Sequence, residues 1–175
     1  MVTLDVGCGD DKKGDIGVDL RKLLRVDVVC DVHNLPFGNE AFTEVRSSVV
    51  IEHTLNPFQF IKEQVRVLKS NGILRCEADN ARYWRFHINI SPFGEDFPTH
   101  FKSERYSPSE EHHMIFYPES IVQLFKLAGV KEVKFFYVQP SRKADKLLRL
   151  IFPFFYKNTW QRFVVTGQKK EHGNI

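Results

Sequence analysis

The apolar residues of this chain fall into short runs that end on turn-forming or acidic residues. Residues 2–6 lead into Gly7-Cys8-Gly9 and predict a strand feeding a tight turn. Residues 17–20 and 26–32 form a second and a third run, each closing on an aspartate, Asp19 or Asp31. Residues 41–51 form a fourth run and 72–79 a fifth. Short, nearly continuous Val, Ile and Leu runs are the pattern of parallel strands buried on both faces. Between the fourth and fifth runs, Phe58, Ile61, Val65 and Leu68 recur at helical spacing, with Lys62, Glu63, Arg66 and Lys69 on the other side. Asn56-Pro57 supplies a helix start and Asn71-Gly72 a stop. Residues 118–129 predict a second helix, with Pro118 at its start and Gly129 at its end. Residues 133–138 and 163–166 read as strands. Strand–helix–strand order predicts an α/β fold with a mostly parallel sheet.

Composition adds a constraint and an asymmetry. At 175 residues the chain is expected to be a single domain, 1–175, and 42% hydrophobic with 27% charged residues excludes wholesale disorder. The aromatics are unevenly placed, with 4 of 23 in residues 1–80. Residues 1–80 hold 10 basic and 13 acidic side chains, while 81–175 hold 15 and 9. The three cysteines, Cys8, Cys30 and Cys76, describe neither a disulfide framework nor a Cys-x-x-Cys zinc site, so no metal is expected. The chain enters its first strand without a basic, apolar leader, and no run approaches a membrane span, so a reduced, cytoplasmic protein is expected.

Ligands of parallel α/β sheets bind beyond the carboxyl ends of the strands. That rule places Gly7 to Gly9, Asp19, Asp31, Ser47, Ser48 and Asp79 on one rim. Glycines let a backbone turn sharply and a ligand approach closely, and a carboxylate such as Asp19 can accept from both hydroxyls of a ribose. A tight structural turn and helix caps are the plain alternatives for these residues. The dinucleotide fingerprint is incomplete, because Asp10-Asp11-Lys12 follows Gly9 and the third glycine is missing. Two acids where a pyrophosphate would lie repel it, so the rim suits a cationic ligand without phosphates.

These residues resemble the class I S-adenosylmethionine-dependent methyltransferases. Leu4-Asp5-Val6-Gly7-Cys8-Gly9 is similar to the first motif of that superfamily, and Gly17-Val18-Asp19-Leu20 to its ribose-binding strand end. Asp31 through Phe37, the run from Phe42 to Glu52-His53, and Glu63 through Gly72 resemble its next three motifs. His112 to Gly129 resembles the segment before its sixth strand. The resemblance implies a Rossmann-like sheet of order 3-2-1-4-5-7-6 with the last strand antiparallel, and S-adenosyl-L-methionine as cofactor. It implies that Gly7, Cys8 and Gly9 pass under the methionine part and that Asp5 orients that loop or holds the amino group through water. Asp19, beside Leu20, would hold the ribose, Asp31 and Val32 the adenine, and Ser47 or Ser48 would lie near the methionine.

One departure stands out. Gly9 and Gly17 are 8 positions apart, too close for the helix that usually joins the first two strands. One sheet face would be thinly covered there, so a homodimer contact or a partner protein is a candidate cover. Within the domain, residues 1–80 would bind cofactor, 81–117 would form an insertion or lid on the acceptor side, and 118–168 would complete the sheet. The acceptor is expected to be a small molecule or glycan-like. For a base, His53 comes first, then His112 and Glu52, while a helix cap is the structural alternative for His53. His112 and His113 read as a loop or pocket pair rather than metal ligands. Residues 142–156 read as a core helix packed on the sheet, with lipid or a partner helix as the alternative. Arg82, Arg85, Lys102 and Arg105 with Tyr83 and Trp84 read as a lid, with nucleic-acid methylation as the alternative. A non-catalytic binding or scaffold protein with a methyltransferase fold is the competing function.

Overall fold

A computed structural model describes residues 1–83, 112–138, 146, 147 and 150–171. The strands are β1 (Thr3–Val6), β2 (Ile16–Asp19), β3 (Val28–Val29), β4 (Phe42–Ser48), β5 (Leu68–Asp79), β6 (Val130–Val138) and β7 (Arg162–Lys169). Two α-helices, α1 (Pro57–Val67) and α2 (Pro118–Leu127), and two 3-10 turns, Ile51–His53 and Pro153–Thr159, complete the described elements. The strands make one sheet of order β3-β2-β1-β4-β5-β7-β6, with β7 antiparallel to both neighbours. The implied topology therefore holds, strand for strand.

Three boundaries moved. Helix α1 stops at Val67 rather than at Asn71-Gly72, because Leu68 is fully buried and pairs with Phe42 as strand. The Asn-Gly pair instead bends β5 from within: Asn71 takes φ 61, and a Cβ on Gly72 would meet Leu68 Cδ1 at 2.7 Å. The third run shrinks to a two-residue edge strand, and the fourth ends at Ser48 before the 3-10 turn.

Both helices pack on the same face of the sheet and touch each other. Leu4, Val6, Val18, Val45, Leu74, Cys76, Phe163 and Val165 point to that face and meet Phe60, Ile61, Ile121 and Phe125. The register sends Asp5, Glu44, Arg46, Ile73, Arg75, Glu77, Lys134, Phe136, Thr166 and Gln168 to the other side. The strands are thus not buried on both faces as their runs suggested. No helix joins β1 to β2, β2 to β3 or β3 to β4, so among the described residues no helix supplies an apolar layer to the outer face. It carries charge instead. Arg162 lies 3.1 Å from Asp79 and 3.6 Å from Glu77, and the Arg75 guanidinium sits 5.8 Å over the Phe136 ring. A face of this composition is compatible with water.

The loop after Gly9 does the work of the missing helix by hydrogen bonding. The Asp5 carboxylate accepts the Lys13 N–H at 2.6 Å, Thr3 and Asp15 exchange bonds of 2.8 and 2.9 Å, and Gly17 N–H donates to Asp27 at 2.7 Å. The loop is laid flat on the outer side of β1, where a Cβ on Gly14 would touch Thr3 O at 2.8 Å. Residues 142–156 are corrected outright, as far as they are described. Leu150 and Phe154 are 80% and 96% exposed, and Leu147, Ile151, Phe152 and Tyr156 are about half exposed. The reason is topological: β6 and β7 are antiparallel neighbours, so their connection need not cross the sheet. Trp84, Arg85, Lys102 and Arg105 lie outside the described residues.

Candidate functional site

A cleft of about 200 Å³ opens beyond the carboxyl ends of β1, β2 and β4, lined by Gly7, Asp19, Leu20, Arg21, Asp31, Val32, His33, Val49, Val50, His53 and Thr54. Its floor is the turn after β1. Gly7 and Gly9 take φ +69 and +52, and Gly7 and Cys8 both donate to Val18 O, at 2.8 and 3.0 Å. A Cβ on Gly7 would stand 2.4 Å from Val50 Cγ2, so glycine is required there for space as well as conformation.

Asp19 organises this floor. One carboxylate oxygen accepts the Gly9 N–H at 3.0 Å, and the other accepts the Arg21 N–H at 2.9 Å and Arg21 Nε at 3.2 Å. Roughly four lone-pair sites on a carboxylate leave room for a further donor from the cleft. Asp31 accepts from the His33 N–H and faces His33 Nδ1 at 2.8 Å. The backbone bond from His33 holds the Asp31 carboxyl below its usual range despite some burial.

The wall of His33 is braced from α1. Gln59 Nε2 donates to His33 O at 3.2 Å, and Glu63 accepts the Leu35 N–H at 2.9 Å. Arg66 spans the same segment, donating to Leu35 O, Phe37 O and the Glu63 carboxylate at 2.8–2.9 Å. The opposite wall, Val49 and Val50, is the turn after β4. Val49 has φ 55, a conformation that branched side chains avoid, and its N–H donates to Glu77 O at 2.9 Å.

His53 stands on the 3-10 turn at the cleft edge, and His112 meets it edge to face, with ring centroids 4.6 Å apart. The strand-like segment that carries His112 is held by Glu52 O, which accepts the His113 and Met114 N–H groups. Glu52 itself is fully buried below the turn. Its Oε1 accepts the Asp79 N–H, and no hydrogen-bond partner faces Oε2. Burial, and then the Asp79 charge, push the Glu52 carboxyl up to about 8.

The residues singled out from sequence therefore separate into three groups. Gly7, Asp19, Leu20, Asp31, Val32 and His53 line the cleft, and His112 touches His53. Asp5, Cys8 and Gly9 shape the loop behind it, with burial pushing the Cys8 thiol up to about 11. Ser47, Ser48 and Glu52 do not line the cleft. Ser47 is buried on the helix side opposite Cys76, and Ser48 pairs with Glu77 on the outer side. Sequence reasoning missed Arg21, His33, Val49, Val50 and Thr54 as cleft residues. His33 follows two residues after Asp31 and Arg21 two after Asp19, a spacing at which a carboxylate commonly accepts from backbone, so those two had a signal. Among the described residues no group of His, Cys, Asp and Glu is placed to hold a metal ion, and no helix is long and apolar enough to cross a membrane.

Comparison with known proteins places this geometry. Residues 4–76 match the family described as "Methyltransferase domain". No curated protein matches the chain in sequence. Among solved structures, a SAM-dependent methyltransferase from Thermotoga maritima is similar with a TM-score of 0.71 at 18% identity, over 97% of this chain and 82% of that one. A SAM-dependent methyltransferase from Archaeoglobus fulgidus is similar with a TM-score of 0.64 at 18% identity, over 95% and 85%. A Haemonchus contortus phosphoethanolamine N-methyltransferase, solved with S-adenosylhomocysteine, is similar with a TM-score of 0.58 at 16% identity, over 97% of this chain and 48% of that one.

Proposed function

We propose that this chain is a class I S-adenosylmethionine-dependent methyltransferase; the match of residues 4–76 to the methyltransferase-domain family and the likeness in fold to SAM-dependent methyltransferases support the reading. The reading is that the cleft binds S-adenosyl-L-methionine and that the methyl acceptor, a small molecule or glycan-like compound, approaches from the His53 side. The observation that carries it is the meeting of Gly7, Asp19, Asp31 and His53 in a single cleft. The residues fit the cofactor. The Gly7 turn offers backbone without a side chain, Asp19 keeps acceptor capacity for a ribose hydroxyl, and Asp31 faces the cleft as an acceptor for an exocyclic amine. Two carboxylates and no phosphate-binding loop suit a ligand that carries positive charge and no phosphate.

When bound, the cofactor supplies a methyl group on a sulfonium, already activated for transfer to an acceptor lone pair. The protein's part is then mainly to position the partners and keep water out. For a hydroxyl or amine acceptor, His53 takes the proton lost as the new bond forms. His112 is a positioning residue that fixes the His53 ring by its edge. Glu52 holds the His112 segment through its backbone carbonyl, and its buried side chain does not line the cleft.

Calorimetry with S-adenosylmethionine tests the reading. Binding at micromolar to sub-millimolar concentration is expected, with Asp19→Ala weakening it roughly 10- to 100-fold through loss of hydrogen bonds to a charged group. Absence of binding at millimolar cofactor, or binding indifferent to Asp19→Ala, would sink it. A second reading, a binding or scaffold protein with this fold, is favoured by the hold of Arg21 on Asp19. It requires that Arg21→Ala leave cofactor binding undetectable. Of the basic residues behind the nucleic-acid reading, Arg82 is engaged by Glu119 at 2.9 Å and by the Tyr117 ring, and Arg85, Lys102 and Arg105 lie outside the described residues.

A further inference from the structure

The connection between β6 and β7 carries an apolar surface that the sheet does not use. Leu147, Leu150, Ile151, Phe152, Phe154 and Tyr156 are all exposed, within ten residues of chain. Isolated exposed apolar side chains are ordinary, but a contiguous group of this size marks an interaction site. The group also sits on a fixed stem. Asn80, fully buried at the end of β5, donates through Nδ2 to Lys157 O at 2.9 Å and Trp160 O at 2.8 Å. The Trp160 ring stacks on Tyr137 at 6.2 Å, with Tyr156 edge-on to the same ring at 6.5 Å. The stem is anchored by hydrogen bonds and rings, while Phe154, three residues before Lys157, is 96% exposed.

Two features say what covers this surface. The first is its shape. Leu147, Leu150, Ile151 and Phe154 recur at i, i+3, i+4 and i+7, and all four are exposed, so they form one apolar stripe. A stripe beside basic residues is the pattern of a segment that lies in the plane of a membrane interface. The second is charge. Residues 142–157 hold Arg142, Lys143, Lys146, Arg149 and Lys157 against one acid, Asp145. Of these, Lys146 and Lys157 are described and exposed, and Lys157 Nζ lies 5.9 Å over the Tyr156 ring. Apolar side chains with a basic collar match the boundary between acyl chains and anionic headgroups.

We propose that this tip docks the protein on an anionic lipid bilayer, with Leu150, Ile151 and Phe154 entering the headgroup–acyl boundary and Lys146 and Lys157 meeting lipid phosphates. β6 runs parallel to β5, because both are antiparallel to β7, so the tip leaves the sheet at the rim that carries the cleft. Docking therefore turns the cleft toward the bilayer.

The test is flotation of the full chain with phosphatidylcholine vesicles, alone or with roughly a third phosphatidylglycerol. The chain is expected to float with the anionic vesicles at low salt and to bind neutral ones at least ~10-fold more weakly. Leu150→Asp with Phe154→Asp should cut binding ~10-fold or more while leaving thermal unfolding unchanged, since both side chains lie largely in solvent. Lys146→Glu with Lys157→Glu should abolish the preference for anionic lipid. No flotation with either vesicle overturns the proposal, as does flotation indifferent to the aspartate pair. Concentration-dependent dimerisation abolished by Phe154→Asp, without vesicle binding, overturns it in favour of a second copy of the chain as the occupant.

Discussion

At the scale of single residues, the cleft depends on one glycine and one buried acid in different ways. Gly7→Ala places a Cβ within 2.4 Å of Val50 Cγ2 on a backbone with φ +69. The left-handed conformation and the overlap together should cost about 2–4 kcal/mol. Adding Val50→Ala should return the steric part and leave the conformational part, a difference that chemical denaturation of the two variants resolves. Glu52 sets a pH dependence. Its carboxyl is raised from 4.5 to about 8 in the fold, so between those values the folded chain holds a proton that the unfolded chain has lost. Stability should fall as pH rises through that window, by up to ~1.4 kcal/mol per pH unit from this group. Glu52→Gln, which keeps the neutral shape, should flatten that slope in melts recorded from pH 5 to 8. A slope unchanged by the substitution contradicts the assignment.

At the scale of elements, helix α1 serves the cleft more than its hydrophobic stripe indicates. Its polar residues Gln59, Glu63 and Arg66 reach the chain from His33 to Asn39 and fix it by backbone hydrogen bonds. Arg66→Ala removes the donors to Leu35 O and Phe37 O and leaves the buried Glu63 charge without its cationic partner. A loss of about 2–4 kcal/mol is expected. Hydrogen exchange should rise selectively over residues 33–39, and cofactor affinity should fall because His33 and Asp31 are on the same segment. The glutamate and arginine spacing was read from sequence as the outer, solvated side of the helix. That side is instead an anchor, since only the tertiary fold brings residues 33–39 over it.

At the scale of the whole molecule, one core joins the two halves of the chain. Ile73–Asp79 of β5 pair residue by residue with Arg162–Gln168 of β7, and the buried cluster runs from Leu4 to Val165. The composition boundary near residue 80 therefore lies inside a single packed unit. Unfolding is expected as one transition, with near- and far-ultraviolet circular dichroism superimposing, whereas two separated transitions would mark independent halves. Among the described aromatic residues of the second half, Phe116, Phe125 and Phe163 are buried in the core, and Tyr137, Tyr156 and Trp160 form a ring cluster. The acidic, aromatic-poor half lines the cleft.

Local pattern determined the strands, the two helices and the residues at the strand ends, because runs of apolar residues and glycine-bearing turns act within a few positions of themselves, whereas the strand order was implied only by the family resemblance. Gly7, Asp19, Asp31 and His53 were legible for that reason. Three things were decided by distant contacts. Ser47 and Ser48 turned away from the cleft because pairing with Cys76 and Glu77 fixes which way each side chain points. The outer sheet face is polar where β1 to β4 are joined by loops rather than helices, a fact about neighbours that a short Val-rich run cannot encode. Leu150 and Phe154 of the last connection stayed in solvent because β6 and β7 are adjacent and antiparallel, so their link need not cross the sheet.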